Sequence, residues 1–313
     1  MSRRSLFALI AVLHLLCLSC GGGGSSAPPT APSNNLPPGG PTPNPNPTTP
    51  IPSPPQTFVG TGDIGMCGTG GAEQTARLID SIGGTVFTTG DNAYMDGSRR
   101  NYQECYDPAW GRHKARTRPV PGNHEYDTDP TASGYYEYFG IFAGMPPGYY
   151  SYDLGDWHIV ALNSAIASSA LPSQTRWLQQ DLAANTRKCT LAYWHHPLFT
   201  SGPNGPNEYM RETWRVLYDA NADVIVNGHD HLYERFGPQD PDGRRDETRG
   251  IRQFIVGTGG AALYSFGPAR PNSDMRIQST FGVLRFTLTS TGYDWQFIPA
   301  GGGAGDAGSG ICH

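Results

Sequence analysis

Positive charge is in short supply: 22 Lys and Arg stand against 27 Asp and Glu, a formal net charge of −5. That balance excludes a general electrostatic attraction for nucleic acid as a stable partner, and it points to small substrates or surface ligands. A long apolar run is also missing. The N-terminal stretch from Leu6 to Leu18 is too short to span a bilayer comfortably. No Cys-x-x-Cys spacing occurs, which argues against a zinc-cysteine site, and no internal repeat is present, which excludes a solenoid. Between Ala27 and Gln56 the chain has no charged residue, almost no apolar one, and a proline at nearly every second or third position. Such a stretch cannot build a core.

Arg3 and Arg4 followed by the short apolar run read as an export signal over residues 1–19. Ser19-Cys20 and four glycines resemble a bacterial lipoprotein cleavage site, with Cys20 acylated as the first mature residue. The expectation is an exported protein, at the cell surface, in the periplasm or secreted, whose only membrane association is a lipid anchor at Cys20. Residues 20–56 form a Gly/Pro-rich linker, whose proline-rich part reaches about 90 Å when extended. A catalytic domain is expected over 57–299 and a glycine-rich tail over 300–313. Beyond Cys17 and Cys20 there remain Cys67, Cys105, Cys189 and Cys312, an even set that an oxidising compartment would pair. Three pairings are open. The favoured one joins Cys67 to Cys105, which flank the loops after the first two motifs below, and Cys189 to Cys312, which would staple the tail to a core strand.

From Thr57 the pattern alternates strand and helix. Thr57–Gly60, Thr85–Thr89, Thr117–Val120, Thr190–Trp194 and Asp223–Asn227 are short β-branched or aromatic runs. Ala72–Ile82, Pro172–Ala184 and Asn207–Asn221 have helical spacing, with Ser173 as a candidate N-cap. Two hairpins are predicted, Tyr149–Leu154 with Trp157–Leu162, and Gly282–Thr289 with Tyr293–Phe297. Each of the five strand-like runs ends at a motif: Gly62-Asp63-Ile64-Gly65, Gly90-Asp91-Asn92-Ala93-Tyr94, Gly122-Asn123-His124-Glu125, Trp194-His195-His196-Pro197 and Gly228-His229-Asp230-His231. Open α/β sheets place their ligands at such strand ends.

Two carboxylates, a phenol, an amide and several imidazoles are what a pair of hard ions requires, with one carboxylate able to bridge them. Each Gly-Asp alone is more often a turn than a ligand; five motifs in this order reverse that. In an extended segment His229 and His231 point the same way, whereas His195 and His196 point oppositely, so only one of the latter pair is expected to be a direct ligand. The basic run Arg112–Arg118 either steers an anionic substrate or is a solvated helix end. Glu125 and Tyr126 are expected to shape the loop beside His124, and Asp230 to orient a ligand or face solvent. The aromatic cluster Tyr135, Tyr136, Tyr138, Phe139, Tyr149 and Tyr150 either stacks on a substrate ring or, the favoured reading, packs.

These segments together resemble the metallophosphoesterase superfamily, specifically its purple acid phosphatase-like branch, over Phe58 to Phe297. Tyr94, three residues after Asp91, and the run Gly228 to Arg235 carry the likeness to that branch. The resemblance implies an α/β fold, a sandwich of two mixed β-sheets flanked by helices (α/β/β/α). It implies two metal ions, Fe(III) plus a divalent Fe, Zn or Mn. Asp63, Tyr94 and His231 would hold the first, Asn123, His195 and His229 the second, and Asp91 would bridge them. His124 would protonate the leaving alkoxide or stabilise phosphoryl oxygens, and His196 would assist. The cations would acidify a water that attacks phosphorus in line with the leaving group. The function so implied is hydrolysis of a small phosphate ester, most simply a monoester. A phosphodiesterase or nucleotidase with the same site is the alternative, and a non-catalytic surface metal-binding protein a third reading. Plant-type members carry an N-terminal β-sandwich domain; here the linker leads straight into the catalytic part, so substrate contacts from such a domain are not expected.

Overall fold

Alternation along the strands sorts side chains between two interiors, and this sets the layering. The structure is a computed structural model that describes residues 52–313; the signal segment, Cys20 and nearly all of the linker lie outside them. Three parallel strands come first, β1 (Gln56–Thr61), β2 (Thr85–Thr89) and β3 (Thr117–Val120). The chain then builds a second sheet from β4 (Tyr150–Leu154), β5 (Trp157–Ala161), β6 (Cys189–Tyr193), β7 (Val224–Asn227), β8 (Tyr233–Phe236), β9 (Arg252–Val256) and β10 (Ser273–Ile277). It returns to the first sheet with β11 (Gly282–Leu288), β12 (Gly292–Pro299) and β13 (Asp306–Ile311). Spatial order is β13-β12-β11-β1-β2-β3 in one sheet and β10-β8-β9-β7-β6-β5-β4 in the other. Both mix parallel and antiparallel pairs, so the expected α/β/β/α sandwich is the fold observed.

Phe58 and Phe87 face the other sheet, where they meet Tyr193, while Val59 and Val86 face the helix Gly71–Asp80 and its Ala72, Ala76 and Ile79. On the second sheet Val160, Ala192 and Ile225 face outward against Leu178 of the helix Leu171–Ala184 and Trp214 and Leu217 of the helix Arg211–Asp219. One core thus lies between the sheets and one under each helical layer.

The five expected strands and three expected helices are present with ends shifted by a few residues. Asn207–Asn221 divides into a 3-10 turn, Glu208–Met210, and the α-helix Arg211–Asp219. Ser173 is not an N-cap: its helix starts at Leu171, with Ala170 at the cap position and Pro172 in the first turn, where a missing N–H costs nothing. Both hairpins form, with Leu154 opposite Trp157 and Leu288 opposite Tyr293. Residues 306–311 are an edge strand paired to β12, so the sheet continues through the glycine-rich tail. The two disulfides are Cys67–Cys105 and Cys189–Cys312, the favoured pairing. Among the described residues no helix is long and apolar enough to cross a membrane.

Short helical segments run from Arg99 to Arg116, where the sequence shows no continuous helical pattern. Their buried face is Tyr102, Tyr106 and Trp110, spaced four apart, but Pro108 in their midst reads as a breaker; in the fold that proline sits in the first turn of Asp107–Trp110. The basic residues that follow are structural. Arg112 pairs with Asp80 and Glu73, and Arg116 donates to the carbonyls of Ile79, Ile82 and Gly84 at the end of the first helix.

His158 on β5 pins the helix Leu171–Ala184 to the sheet, with Nε2 2.7 Å from Asp181 and Nδ1 3.2 Å from Asp153. Burial works against its charged form, but the two carboxylates outweigh burial and raise it above 6.5. A raised imidazole contributes stability that is fully present below pH 6.5 and is lost as pH rises through the folded-state value. Denaturant unfolding of His158→Gln should therefore show a loss of about 1–3 kcal/mol at pH 6 that shrinks at pH 9; an equal loss at both would mean the imidazole is uncharged.

Candidate metal centre

The five motifs lie at the C-terminal ends of β1, β2, β3, β6 and β7. Main-chain bonds knit their loops together: Asp63 N–H donates to Gly90 O (3.0 Å), Ile64 to Asp91 O (3.0 Å), and Gly228 to His195 O (3.0 Å). Asp63, Asp91 and His229 have positive φ (60°, 49° and 71°), a conformation costing non-glycine residues about 1–3 kcal/mol each when held. Glycine is needed alongside. A Cβ on Gly122 would sit 2.2 Å from Asp91 Oδ1, and one on Gly228 2.7 Å from Asp63 Oδ2.

The predicted residues converge on two adjoining clusters. In the first, the Tyr94 hydroxyl lies 2.9 Å from Asp63 Oδ1, 3.1 Å from Asp91 Oδ2 and 3.0 Å from His231 Nε2. In the second, His195 Nε2 lies 3.1 Å from each of Asp91 Oδ2, Asn123 Oδ1 and His229 Nδ1. Backbone carbonyls fix the rings: Thr89 O accepts from His195 Nδ1 (2.8 Å) and Ala262 O from His231 Nδ1 (2.6 Å). That is the outer support metal-binding imidazoles use. It leaves both Nε2 lone pairs aimed inward.

With both rings neutral, each cluster has at most one proton for three acceptors, and Asp91 Oδ2 belongs to both. Asp63, Asp91 and His195 are fully enclosed, so water does not dilute the repulsion. Protons can relieve only part of it. Burial opposes charging His195, yet Asp91, Asp63 and the Thr89 carbonyl push it up to about 9. Burial and the neighbouring His195 lower His229 to about 4. Burial, Asp63 and Asp91 raise the Tyr94 phenol far above its ordinary value. A donor set of lone pairs sharing one carboxylate oxygen fits two hard cations.

His195 and His196 do not face opposite ways. Strand β6 ends at Tyr193, and the bend after it brings a ring nitrogen of His196 within 4.8 Å of those of His195 and His229. Ser164 Oγ accepts the His196 main-chain N–H (3.0 Å) and lies 2.8 Å from its Nδ1, which fixes the plane of the ring. His229 and His231 do share the site, but through successive tight turns at Gly228–Asp230 and Asp230–Leu232 rather than strand alternation. His124 is at the rim, 22% exposed, with Nδ1 on Met95 O and Asp127 Oδ2 (3.1 Å) and Nε2 3.8 Å from Asp91 Oδ2.

Other residues act at one remove. The Glu125 carboxylate accepts four main-chain N–H groups, of Gly122, Asp91, Asn92 and Ala93, and the Tyr102 hydroxyl. Asp230 does not face solvent. It is buried and accepts from the Thr200 hydroxyl and the Asn204 main-chain N–H, and the Asn204 side chain donates to the His229 carbonyl, so Asp230 orients that candidate ligand at one remove. Tyr264 stacks on His231 (4.0 Å, 10° between planes) and had no signal in the sequence, because β9, which leads to it, was unrecognised.

Residues 56–233 match the calcineurin-like phosphoesterase family. The chain belongs to that family, in its purple acid phosphatase-like branch. Purple acid phosphatase 21 of Arabidopsis thaliana is 30% identical over 262 residues, covering 75% of this chain and 57% of that one. The chain therefore spans little more than half the length of this relative. Among solved structures, purple acid phosphatase PPD1 from yellow lupin seeds superposes with a TM-score of 0.62 at 19% identity, over 83% of this chain and 55% of that one. GAP50, the anchor in the inner membrane complex of Plasmodium, has the same fold (TM-score 0.65, 15% identity, 82% of this chain and 88% of that one). A fold shared with an anchor does not fix function, which has to be argued from the site.

Proposed function

We propose that the chain is an exported phosphoric ester hydrolase with a dinuclear metal site, acting by preference on monoesters. The observation that carries this reading is the pair of proton-starved clusters sharing Asp91 Oδ2. Asp63, Tyr94 and His231 would hold one ion; Asn123, His195 and His229 the other; Asp91 both. Ligation by a phenol whose ionisation is otherwise resisted favours a trivalent iron at the first position, with divalent Fe, Zn or Mn at the second. When bound, the ions supply charge neutralisation for the phosphoryl oxygens and an acidified water as nucleophile. His124 has its Nδ1 committed to Met95 and Asp127 and its Nε2 free at the rim, placed to give a proton to the departing ester oxygen. His196, kept neutral by burial, has a ring nitrogen beside those of His195 and His229 and would assist at the phosphoryl group. Two disulfides support an oxidising compartment, and with it export; the anchor at Cys20 is read from the sequence.

The purified chain should contain two metal ions and show a visible tyrosinate-to-iron band that Tyr94→Phe removes. It should cleave p-nitrophenyl phosphate faster than the bis-ester. A colourless zinc protein would remove the iron assignment alone, bis-ester preference would favour the phosphodiesterase reading, and absence of both metal and hydrolysis would overturn the proposal.

A further inference from the structure

Beside the metal centre is a cavity of about 430 Å³ that begins at Asn123 and His196 and runs outward between Tyr126, Ile166, Leu171 and Tyr209. Neither Lys nor Arg lines it, and its one ionisable carboxylate is Asp127. Both tyrosines have their hydroxyls occupied, Tyr209 donating to Ser164 O (3.2 Å) and Tyr126 accepting from Asn163 Nδ2 (2.8 Å). Both side chains line the cavity. Tyr209 is 46% exposed, and its ring lies 5.9 Å from that of His196. An exposed aromatic ring beside a reactive centre is a surface on which a flat or apolar group stacks.

We infer that this cavity receives the alcohol part of the ester and selects an uncharged, apolar group, an aryl group above all, over polyanionic ones such as inositol polyphosphates. The inference rests on the hydrolase reading and names its substrate class. In the reaction water supplies a hydroxyl to phosphorus, the bond from phosphorus to the ester oxygen breaks, and the alcohol leaves with a proton. The phosphoryl group is held by the metal side while the departing group points along Tyr209. A polyanionic leaving group would find no cation there and would meet Asp127, whose carboxylate is already spent on His124.

Phenylphosphonate and methylphosphonate, which share a head group, separate the cavity from the metal site. Calorimetry should find the phenyl compound binding about tenfold tighter or more, the scale of discrimination by an apolar pocket, and Tyr209→Ala should remove most of that difference. Ile166→Lys should shift the kcat/KM ratio from phenyl phosphate toward inositol hexakisphosphate. Circular dichroism checks that both variants fold. Equal binding of the two phosphonates, or a preference unmoved in Tyr209→Ala, would overturn the inference while leaving a working hydrolase; loss of hydrolysis toward every ester in the unaltered protein would remove the hydrolase reading and this one with it.

Discussion

Asp91→Ala is expected to lower kcat for a monoester by at least about a thousandfold while the protein still folds. Losses of that order follow removal of one transition-state-stabilising group in other enzymes, and Asp91 contributes more than one contact. Its Oδ2 is common to both clusters and its Oδ1 accepts the His124 main-chain N–H (2.9 Å). Without the shared oxygen two cations would repel one another with nothing between them, and His124 would lose its register. The fold should survive because β2 is paired on both sides and the loop is held independently by Glu125. Thermal unfolding with and without a chelator adds a test that is independent of activity. Ligands bound only by the folded state stabilise it by mass action, so chelation should lower the wild-type midpoint. The Asp91→Ala midpoint should respond weakly or not at all. Near-normal hydrolysis by the purified variant, or an undiminished chelator effect, would show that Asp91 does not join the two halves.

The same geometry explains what could be read from the chain beforehand. Asp63, Asp91, Asn123, His195 and His229 come just after β-branched or aromatic runs, and these strands, parallel to their neighbours within each of the two sheets, deliver their next residues to the same end. Their convergence was therefore a local property repeated five times. Where local rules failed, a distant partner had decided. His195 and His196 leave the strand before alternation applies, and Ser164, 32 residues away, sets the second ring. Strand β13, Asp-Ala-Gly-Ser-Gly-Ile, has low intrinsic β-propensity; it forms because β12 pairs with it and Cys312 is tied to Cys189. Strand β8 reads as a charged segment because Glu234 and Arg235 lie within it, yet Ser201 and Ser273 satisfy the first and Asp306 the second. Tyr264 reaches His231 from the irregular segment after β9, where no periodic pattern marks it. The candidate ligands were legible and their supports were not, since a residue type suited to a cation is visible at one position and support is set by contacts across the fold.

Glu125 is the strongest case of that distinction, and its removal should have the largest effect on stability. Its motif position suggested only a loop-shaping residue, but one carboxylate satisfies five donors: Gly122 N at 2.7 Å, Asn92 N at 2.8 Å, Tyr102 OH at 3.0 Å, Asp91 N at 3.1 Å and Ala93 N at 3.3 Å. All are buried, and the side chain joins the loop after β2 to the loop after β3. Burial and the nearby Asp91 charge both raise the Glu125 carboxyl, while the N–H groups favour its anion. Those donors hold Asp91 in its positive-φ conformation from behind. Each buried group left unpaired costs about 1–3 kcal/mol, so Glu125→Ala should lose upwards of about 4 kcal/mol even if the loops relax in part. Glu125→Gln keeps the shape and one acceptor oxygen, but sets an NH₂ against main-chain N–H donors. It should therefore cost more than an ordinary isosteric change, and weaken metal binding by about 10–100-fold, as loss of a supporting residue does elsewhere. Denaturant midpoints and metal titrations of the two variants decide the matter. If Glu125→Gln matched wild type in both, the five hydrogen bonds would not be what positions Asp91.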